Sequence, residues 1–226
     1  MKRSFNWEKM SLKELIAPVF LFFVLANPVP AATISSTFDA SGEGWIGIPG
    51  EGSSQFFASG GNPGGHIRVT DIGVGGDLGS GAIAPSKFLG NLSSFDNGML
   101  SVDLGNFGGG GTIWSTFGVV KISGTGGAVA LRDLTDTVPP SGTWQTFSAP
   151  LTAAAWGKTS LEWMTILANV TEIAIGTDAF DGTETTGVDN FTITTTPIPI
   201  PATVWLFGSA MAGLVGFARR KQASVA

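Results

Sequence analysis

The chain has 226 residues, and among them are no cysteine, no tyrosine and a single histidine, His66. Without cysteine it forms no disulfide, thiolate nucleophile, cysteine-ligated zinc site or iron–sulfur cluster. No second histidine or cysteine accompanies His66 to build a metal or triad site. We therefore interpret His66 as an exposed histidine on a strand rather than as a catalytic or metal-binding residue.

Positive charge is also scarce once the two ends of the chain are set aside. Between residues 33 and 197 there are fifteen acids and five cations, which gives this region a net charge of −10. The cations are Arg68, Lys87, Lys121, Arg132 and Lys158. An anionic surface argues against nucleic acid and anionic lipid as partners, and it suits calcium or other cations.

The N-terminus has the three-part pattern of a secretory signal peptide. Four cations precede the apolar run Leu15 to Ala26, and small residues follow it in Val29-Pro30-Ala31-Ala32. We predict a signal peptide over residues 1–32 that is cleaved after Ala31 or Ala32. The alternative is an uncleaved N-terminal anchor.

The C-terminus, residues 196–226, combines a proline-rich block, an apolar run and a basic end. Val204 to Ala218 carries no charge. As a helix it spans only about 22 Å at 1.5 Å per residue, against a hydrocarbon core of roughly 30 Å. The cations Arg219, Arg220 and Lys221 favour a cytoplasmic C-terminus. A plain single-pass anchor is one interpretation of this segment.

The order Pro199-Ile200-Pro201-Ala202-Thr203-Val204-Trp205-Leu206-Phe207-Gly208-Ser209, followed by the basic end, resembles the PEP-CTERM sorting domain. This resemblance implies a Gram-negative bacterium that makes exopolysaccharide. It also implies export through the Sec machinery, a transient stay in the inner membrane and removal of the tail by an exosortase. The predicted sorting residues are Pro199, Ile200, Pro201, Ala202, Arg219, Arg220 and Lys221.

The remaining residues, 33–195, contain short runs rich in Val, Ile, Thr and Phe that are separated by glycines. This pattern predicts an all-β sandwich in a single domain. The predicted strands are His66–Thr70, Leu100–Leu104, Thr112–Ile122, Ala128–Leu134, Thr143–Ala149, Glu172–Gly176 and Val188–Thr194. Thr159-Ser160-Leu161-Glu162 resembles a capping box. It predicts one short helix with Leu161, Met164, Leu167 and Ala168 on its apolar face.

A second resemblance covers most of this domain. The block Ala84-Pro85-Ser86-Lys87-Phe88-Leu89-Gly90 and the closing run Val188-Asp189-Asn190-Phe191 look like the laminin B (laminin IV type A) domain. The resemblance implies a jelly-roll-like β-sandwich in a secreted or matrix-associated protein, without established catalysis.

Two candidate sites follow. No cofactor is predicted; a structural calcium ion is the alternative to simple solvated acids at the ends of two strands. Asp39 and Asp189 would lie close together if the first and last strands pair, and carboxylate oxygens suit calcium. Exposed tryptophans among Trp114, Trp144, Trp156 and Trp163 would form a sugar platform. Glu162 is explained by the capping box, and Asp181 and Glu184 are placed in a loop, so no carboxylate pair for a glycosidase is evident.

The sequence thus favours an exported, non-catalytic protein of the cell surface or extracellular matrix, associated with exopolysaccharide. The alternative is a glycan-active hydrolase or a carbohydrate-binding module on the same jelly-roll scaffold.

Overall fold

The computed structural model describes residues 31–72, 78–112 and 116–196. Ala31 to Thr196 form one compact unit. The predicted signal peptide up to residue 30 and the predicted sorting tail from residue 197, with all seven sorting residues, lie outside the described residues. Among the described residues, no helix is long and apolar enough to cross a membrane.

The fold is a jelly-roll-like sandwich of two antiparallel sheets with one short α-helix, as predicted. In chain order, the elements are β1 (Thr33–Ser36), β2 (Ile46–Gly47), β3 (Ser53–Phe57), β4 (His66–Thr70), β5 (Gly81–Ile83), β6 (Met99–Gly109), β7 (Val119–Gly124), β8 (Val129–Asp133), β9 (Thr143–Pro150), α1 (Ser160–Ala168), β10 (Val170–Gly176) and β11 (Glu184–Thr194).

Six strands form one sheet and five form the other. The six-stranded sheet has the order β3-β4-β11-β6-β9, with β1 pairing the C-terminal half of β11. The five-stranded sheet has the order β2-β5-β10-β7-β8. Alternation along the strands directs one set of side chains between the sheets and the other set to the outer faces.

The core between the sheets is apolar and closely packed. It contains Ile67 and Val69 of β4, Leu100, Val102 and Leu104 of β6, Ile122 of β7 and Ile173 of β10. Burying each such side chain contributes roughly 1.5–3 kcal/mol. Outward-facing residues of the same strands therefore form a separate surface, which bears the candidate site.

The block that carries the laminin B resemblance joins the first and last strands. Phe88 is fully buried, with its ring 4.9 Å from that of Phe191 on β11 and 6.0 Å from that of Trp45. Lys87 forms an ion pair with Glu43 and donates to the carbonyl of Ser35 on β1 at 2.6 Å. These contacts give the block a structural role.

Most predicted strands are present, but their ends differ. β4 begins and ends as predicted, whereas β6 and β11 extend beyond their predicted cores. The strand predicted from Thr112 begins only at Val119, in β7. β1, β2, β3 and β5 were not predicted, because they are short and carry no long apolar alternation.

Helix α1 has the predicted capping box but buries a different face. Thr159 accepts a hydrogen bond from the Glu162 backbone N–H, and the Glu162 carboxylate accepts one from the Thr159 backbone N–H. The buried residues are Trp163, Ile166 and Leu167, whereas Leu161 is 79% exposed and Met164 37%. Leu161, Met164 and Ala168 were therefore wrong as core residues, because the bulky Trp163 sets which side packs inward.

Candidate functional site

The four tryptophans proposed as a sugar platform have different positions. Trp156 and Trp163 are core residues, with rings stacked at 5.4 Å. Their indole N–H groups donate to the Pro150 carbonyl and to Asp96. Trp114 lies outside the described residues. Of the three members of this set that the structure describes, only Trp144 is half-exposed, so the platform hypothesis was wrong for Trp156 and Trp163.

Trp144 lies on the outer face of the six-stranded sheet, above two glycines. The register places Arg68, Gly187, Gly105 and Trp144 side by side on β4, β11, β6 and β9. A Cβ added to Gly105 would lie 2.9 Å from ring carbons of Trp144, and one added to Gly187 would lie 2.7 Å from the far end of the indole. The glycines thus let the indole lie close against the sheet. Its N–H donates to the carbonyl of Gly60 at 2.9 Å, which fixes the ring's orientation.

Trp144 belongs to a cluster that we name the outer aromatic patch, formed by Phe57, His66, Arg68, Phe107 and Trp144. The ring of His66 lies 5.7 Å from Phe57, 5.2 Å from Phe107 and 5.3 Å from Trp144. Phe57, Phe107, Arg68 and Trp144 are all half-exposed. Partly exposed rings on the solvent side of a sheet form a surface on which a ligand can stack.

His66 is the centre of this patch and is fully buried, so its interpretation as an exposed strand histidine was wrong. Neither ring nitrogen has a hydrogen-bond partner. Burial, together with the nearby charge of Arg68, lowers the pKa of His66 from 6.5 to about 4. The ring is therefore neutral at physiological pH and acts as an aromatic packing residue.

Arg68 supplies the only positive charge of the patch. Its guanidinium carbon lies 4.0 Å from the ring centre of Phe57 and 4.8 Å from that of Phe107, within cation–π range. Among the described residues it forms no ion pair, and its buried Nε has no hydrogen-bond partner. A stacked guanidinium without a carboxylate keeps donors available for a ligand.

A hydrogen-bonded network beside the patch anchors the loop between β3 and β4. Asp189 accepts the backbone N–H groups of Asn62 at 2.6 Å and Asn190 at 2.7 Å. Asp103 accepts the side-chain amides of Asn62 and Asn190 and the hydroxyl of Thr146. The loop is thereby held over the outer face at the edge of the patch.

The pair predicted to hold calcium belongs to the edge of this network. β1 and β11 do pair, as the calcium prediction required. Burial raises the pKa of Asp189 to about 6, and the charges of Asp103 and Asp39 act in the same direction. Asp39 is exposed and accepts the hydroxyl of Thr37 at 2.7 Å. Calcium at Asp39 and Asp189 stays an untested alternative.

A second group of acids lies at one end of the sandwich, and we name Asp71, Asp178 and Glu184 the acid cluster. One oxygen from each lies within 4.8 Å of the others, and all three residues are buried. Burial raises the pKa of Glu184 to about 7 and that of Asp178 to about 6, and the charge of Asp71 adds to both shifts. Glu184 opens strand β11, so its placement in a loop was wrong.

Sequence reasoning named Trp144 as a candidate but neither the groups around it nor the acid cluster. Phe57, Phe107 and Trp144 are distant in sequence, and only the strand register brings them together. The sequence did contain one signal for the position of Trp144, namely the single glycines Gly105 and Gly187 inside strands. A glycine inside a strand often marks a site where a bulky group approaches the backbone closely.

No protein-family model matches the chain, and no curated protein matches it. Among solved structures, the L4b domain of human laminin alpha-2 matches with 13% identity and a TM-score of 0.46, over 57% of this chain and 80% of that one. A family 11 carbohydrate-binding module from Clostridium thermocellum, in complex with a mixed-linked tetrasaccharide, matches with 15% identity and a TM-score of 0.44, over 74% of this chain and 96% of that one.

A third similar structure is an exo-beta-agarase, with 16% identity and a TM-score of 0.49 over 71% of this chain. The match covers 24% of that enzyme's length. At these identities and scores, neither ligand nor activity is transferred from these three proteins to this chain.

Proposed function

We propose that this chain is a non-catalytic carbohydrate-binding protein and that the outer aromatic patch is its sugar-binding surface. The observation that carries the proposal is Trp144, which is half-exposed on the solvent side of a sheet, seated on Gly105 and Gly187 and fixed by its bond to Gly60. A tryptophan serving only the core would be buried, as Trp163 is.

The chemistry of the patch suits a sugar. Sugar rings present C–H groups that pack on aromatic faces, and their hydroxyls need hydrogen-bond partners at the rim. Trp144 and Phe107 offer the apolar surface, and the guanidinium of Arg68 offers donors beside it. Because His66 is neutral and buried beneath the rings, it keeps them packed without adding charge.

The nearby carboxylates support binding rather than hydrolysis. A glycosidase needs two carboxyl groups that reach the substrate, about 5 to 10 Å apart. Asp103 and Asp189 are almost fully buried, and each accepts at least two hydrogen bonds from the protein. Asp178 and Glu184 are at most 5% exposed. A polysaccharide chain on the sheet surface does not reach either pair.

We also propose that the domain is laminin-B-like and exported. On this proposal, the Sec machinery exports it, an exosortase removes the tail at the inner membrane, and the mature protein acts at the outer surface or in the exopolysaccharide matrix. The signal-peptide pattern of residues 1–32 and the order of Pro199, Pro201 and the basic end support this. With a sugar-binding surface, such a matrix protein would bind the exopolysaccharide directly.

The test is affinity gel electrophoresis of wild type and Trp144→Ala in gels containing xylan, β-glucan, alginate or the host's own exopolysaccharide. We expect at least one polysaccharide to retard the wild type, and W144A to weaken binding about tenfold, since lost stacking costs roughly 1.4 kcal/mol. Leu161→Ala is the matched control, because Leu161 is an exposed apolar residue on α1, away from the patch. Equal retardation of wild type and W144A, or no retardation by any polysaccharide, would contradict the proposal.

A further inference from the structure

The acid cluster lies where the two sheets meet at one end of the sandwich. Asp71 directly follows β4, and Glu184 opens β11 beside it in the six-stranded sheet. Their backbones are joined, because the N–H of Asp71 donates to the carbonyl of Glu184 at 3.0 Å. Asp178 follows β10 of the five-stranded sheet. The three carboxylates therefore converge from both sheets on one point.

Asp178 is the residue that points to a ligand. It is 5% exposed, and its buried Oδ1 has no hydrogen-bond partner. The side chain points into the cluster and interacts with the carboxyl group of Glu184. Burying a carboxylate oxygen with neither a hydrogen bond nor a counter-charge is strongly unfavourable.

Glu184 adds a second buried oxygen of the same kind. Its Oε1 accepts the N–H of Ala179 at 3.0 Å and the hydroxyl of Ser80 at 3.5 Å, whereas its Oε2 has no partner. Glu51 lies close enough for its charge to raise the pKa of Asp178, and its Oε2 is also buried without a partner. Asp178 and Glu184 thus each keep one buried carboxylate oxygen without a hydrogen-bond partner.

Three cations of the described domain, Lys87, Lys121 and Arg68, make their contacts elsewhere. Within the described residues, the ion pairs are Lys87 with Glu43 and Lys121 with Glu172, and neither involves the cluster. Arg68 is stacked over Phe57 and Phe107 on the outer face. Among the described residues, none of these three cations pairs with Asp178 or Glu184.

We propose that Asp71, Asp178 and Glu184 bind a calcium ion that ties the two sheets together at this end of the sandwich. The donors are all oxygens, which hard cations prefer, and there is no cysteine or second histidine for a zinc site. Calcium fits better than magnesium because it accepts several carboxylates in irregular geometry.

A glycine shapes the site. Gly79 has a φ of +60°, and a Cβ at this position would overlap the carboxylate of Asp178. The absence of a side chain therefore lets the backbone approach Asp178 closely and hold it in the cluster. This proposal is independent of sugar binding, since the acid cluster and the outer aromatic patch share no residue.

The test uses purified full-length protein stripped of metal by a chelating resin. Isothermal titration with CaCl2 is expected to give one ion per chain, and calcium is expected to raise the melting temperature relative to protein in EDTA. Glu184→Gln and Asp178→Asn are each expected to weaken calcium binding at least tenfold. Asp136→Asn is the matched control and is expected to bind as the wild type does, because Asp136 is exposed between β8 and β9 and does not belong to the acid cluster.

Folding and binding are separated by two further measurements. Both variants remove repulsion between buried charges, so in EDTA we expect them to melt no lower than the wild type. In wild-type protein, Mn²⁺ is expected to broaden the amide NMR signals of Ala179 and Glu184 before those of Asn62 and Asn190. Absence of calcium binding, binding of magnesium alone, unchanged binding in E184Q and D178N, or broadening centred on Asn62 would each overturn the proposal.

Discussion

His66 combines full burial, ring contacts on three sides and two nitrogens without hydrogen bonds. At the residue scale this has an electrostatic consequence. Protonating the ring inside the patch is unfavourable because of burial and because of Arg68, so the pKa falls to about 4. In an unfolded chain the same side chain titrates near 6.5.

We therefore predict that His66 makes stability depend on pH between about 6.5 and 4. In this pH window the unfolded chain binds a proton at His66 that the folded chain does not. The contribution of His66 to the free energy of unfolding is therefore complete above about pH 6.5 and is lost as the pH falls to 4. A pKa difference of about 2.5 corresponds to roughly 3 kcal/mol. The measurement is urea denaturation of wild type and His66→Gln across this range.

Comparing wild type with H66Q isolates the effect of His66. The pH-dependent contributions of Asp178, Glu184 and Asp189 to the free energy of unfolding are the same in both proteins and cancel. We expect the wild type to lose stability relative to H66Q as the pH falls. A difference between them that stays constant from pH 7 to pH 4 would contradict the assignment of His66 as a buried, neutral ring.

At the scale of elements, strands and a helix cap with a clear pattern in the sequence were predicted well. β4, β8 and β9 follow the apolar and β-branched runs of the sequence, and the capping box of α1 follows from Thr159 and Glu162. The buried face of α1 was missed because Leu161 and Met164 have helical spacing, but the larger Trp163 decides the packing.

The candidate sites depend on register, which the sequence does not specify. Gly105 and Gly187 lie opposite each other only because β6 and β11 pair as they do. Asp71 and Glu184 meet because β4 ends where β11 begins. A shift of one residue would turn either group to the other face of the sheet.

Thr159 provides the prediction for the helix. Thr159→Ala removes the side chain that accepts the Glu162 N–H at 3.3 Å and breaks the reciprocal pair. The expected loss is about 1 kcal/mol of unfolding free energy, measured by urea denaturation. The control is Thr165→Ala, because Thr165 is exposed on the same helix and bonds only to the Leu161 carbonyl. Equal losses in the two variants would show that the cap contributes nothing special.

At the scale of the whole molecule, the proposed signal peptide and sorting tail lead to a prediction about the mature protein. We predict that the intact mass of the protein from its native host corresponds to an N-terminus at Ala32 or Thr33 and a C-terminus near Pro199 to Ala202. In a host without the exosortase, the tail to Ala226 should remain. A tail retained in both hosts would contradict sorting and leave a membrane-anchored domain.

The two sites act at different parts of the sandwich. The outer aromatic patch lies on the exposed side of the six-stranded sheet, whereas the acid cluster joins the sheets at one end. We expect calcium to set the stability of the scaffold and the patch to set its affinity for sugar. Removing calcium should therefore lower the melting temperature more than it weakens binding at temperatures where the domain stays folded.

The measurement that tests the central claim most directly is an NMR titration of protein with ¹⁵N-labelled tryptophan against the polysaccharide that retards it. Seven indole signals are expected from the full-length chain, and Trp144→Phe assigns the one of interest. We predict that the indole N–H of Trp144 shifts with saturation, while those of the buried Trp156 and Trp163 stay in place. If the sugar binds and the Trp144 signal does not move, the outer aromatic patch is not the binding surface.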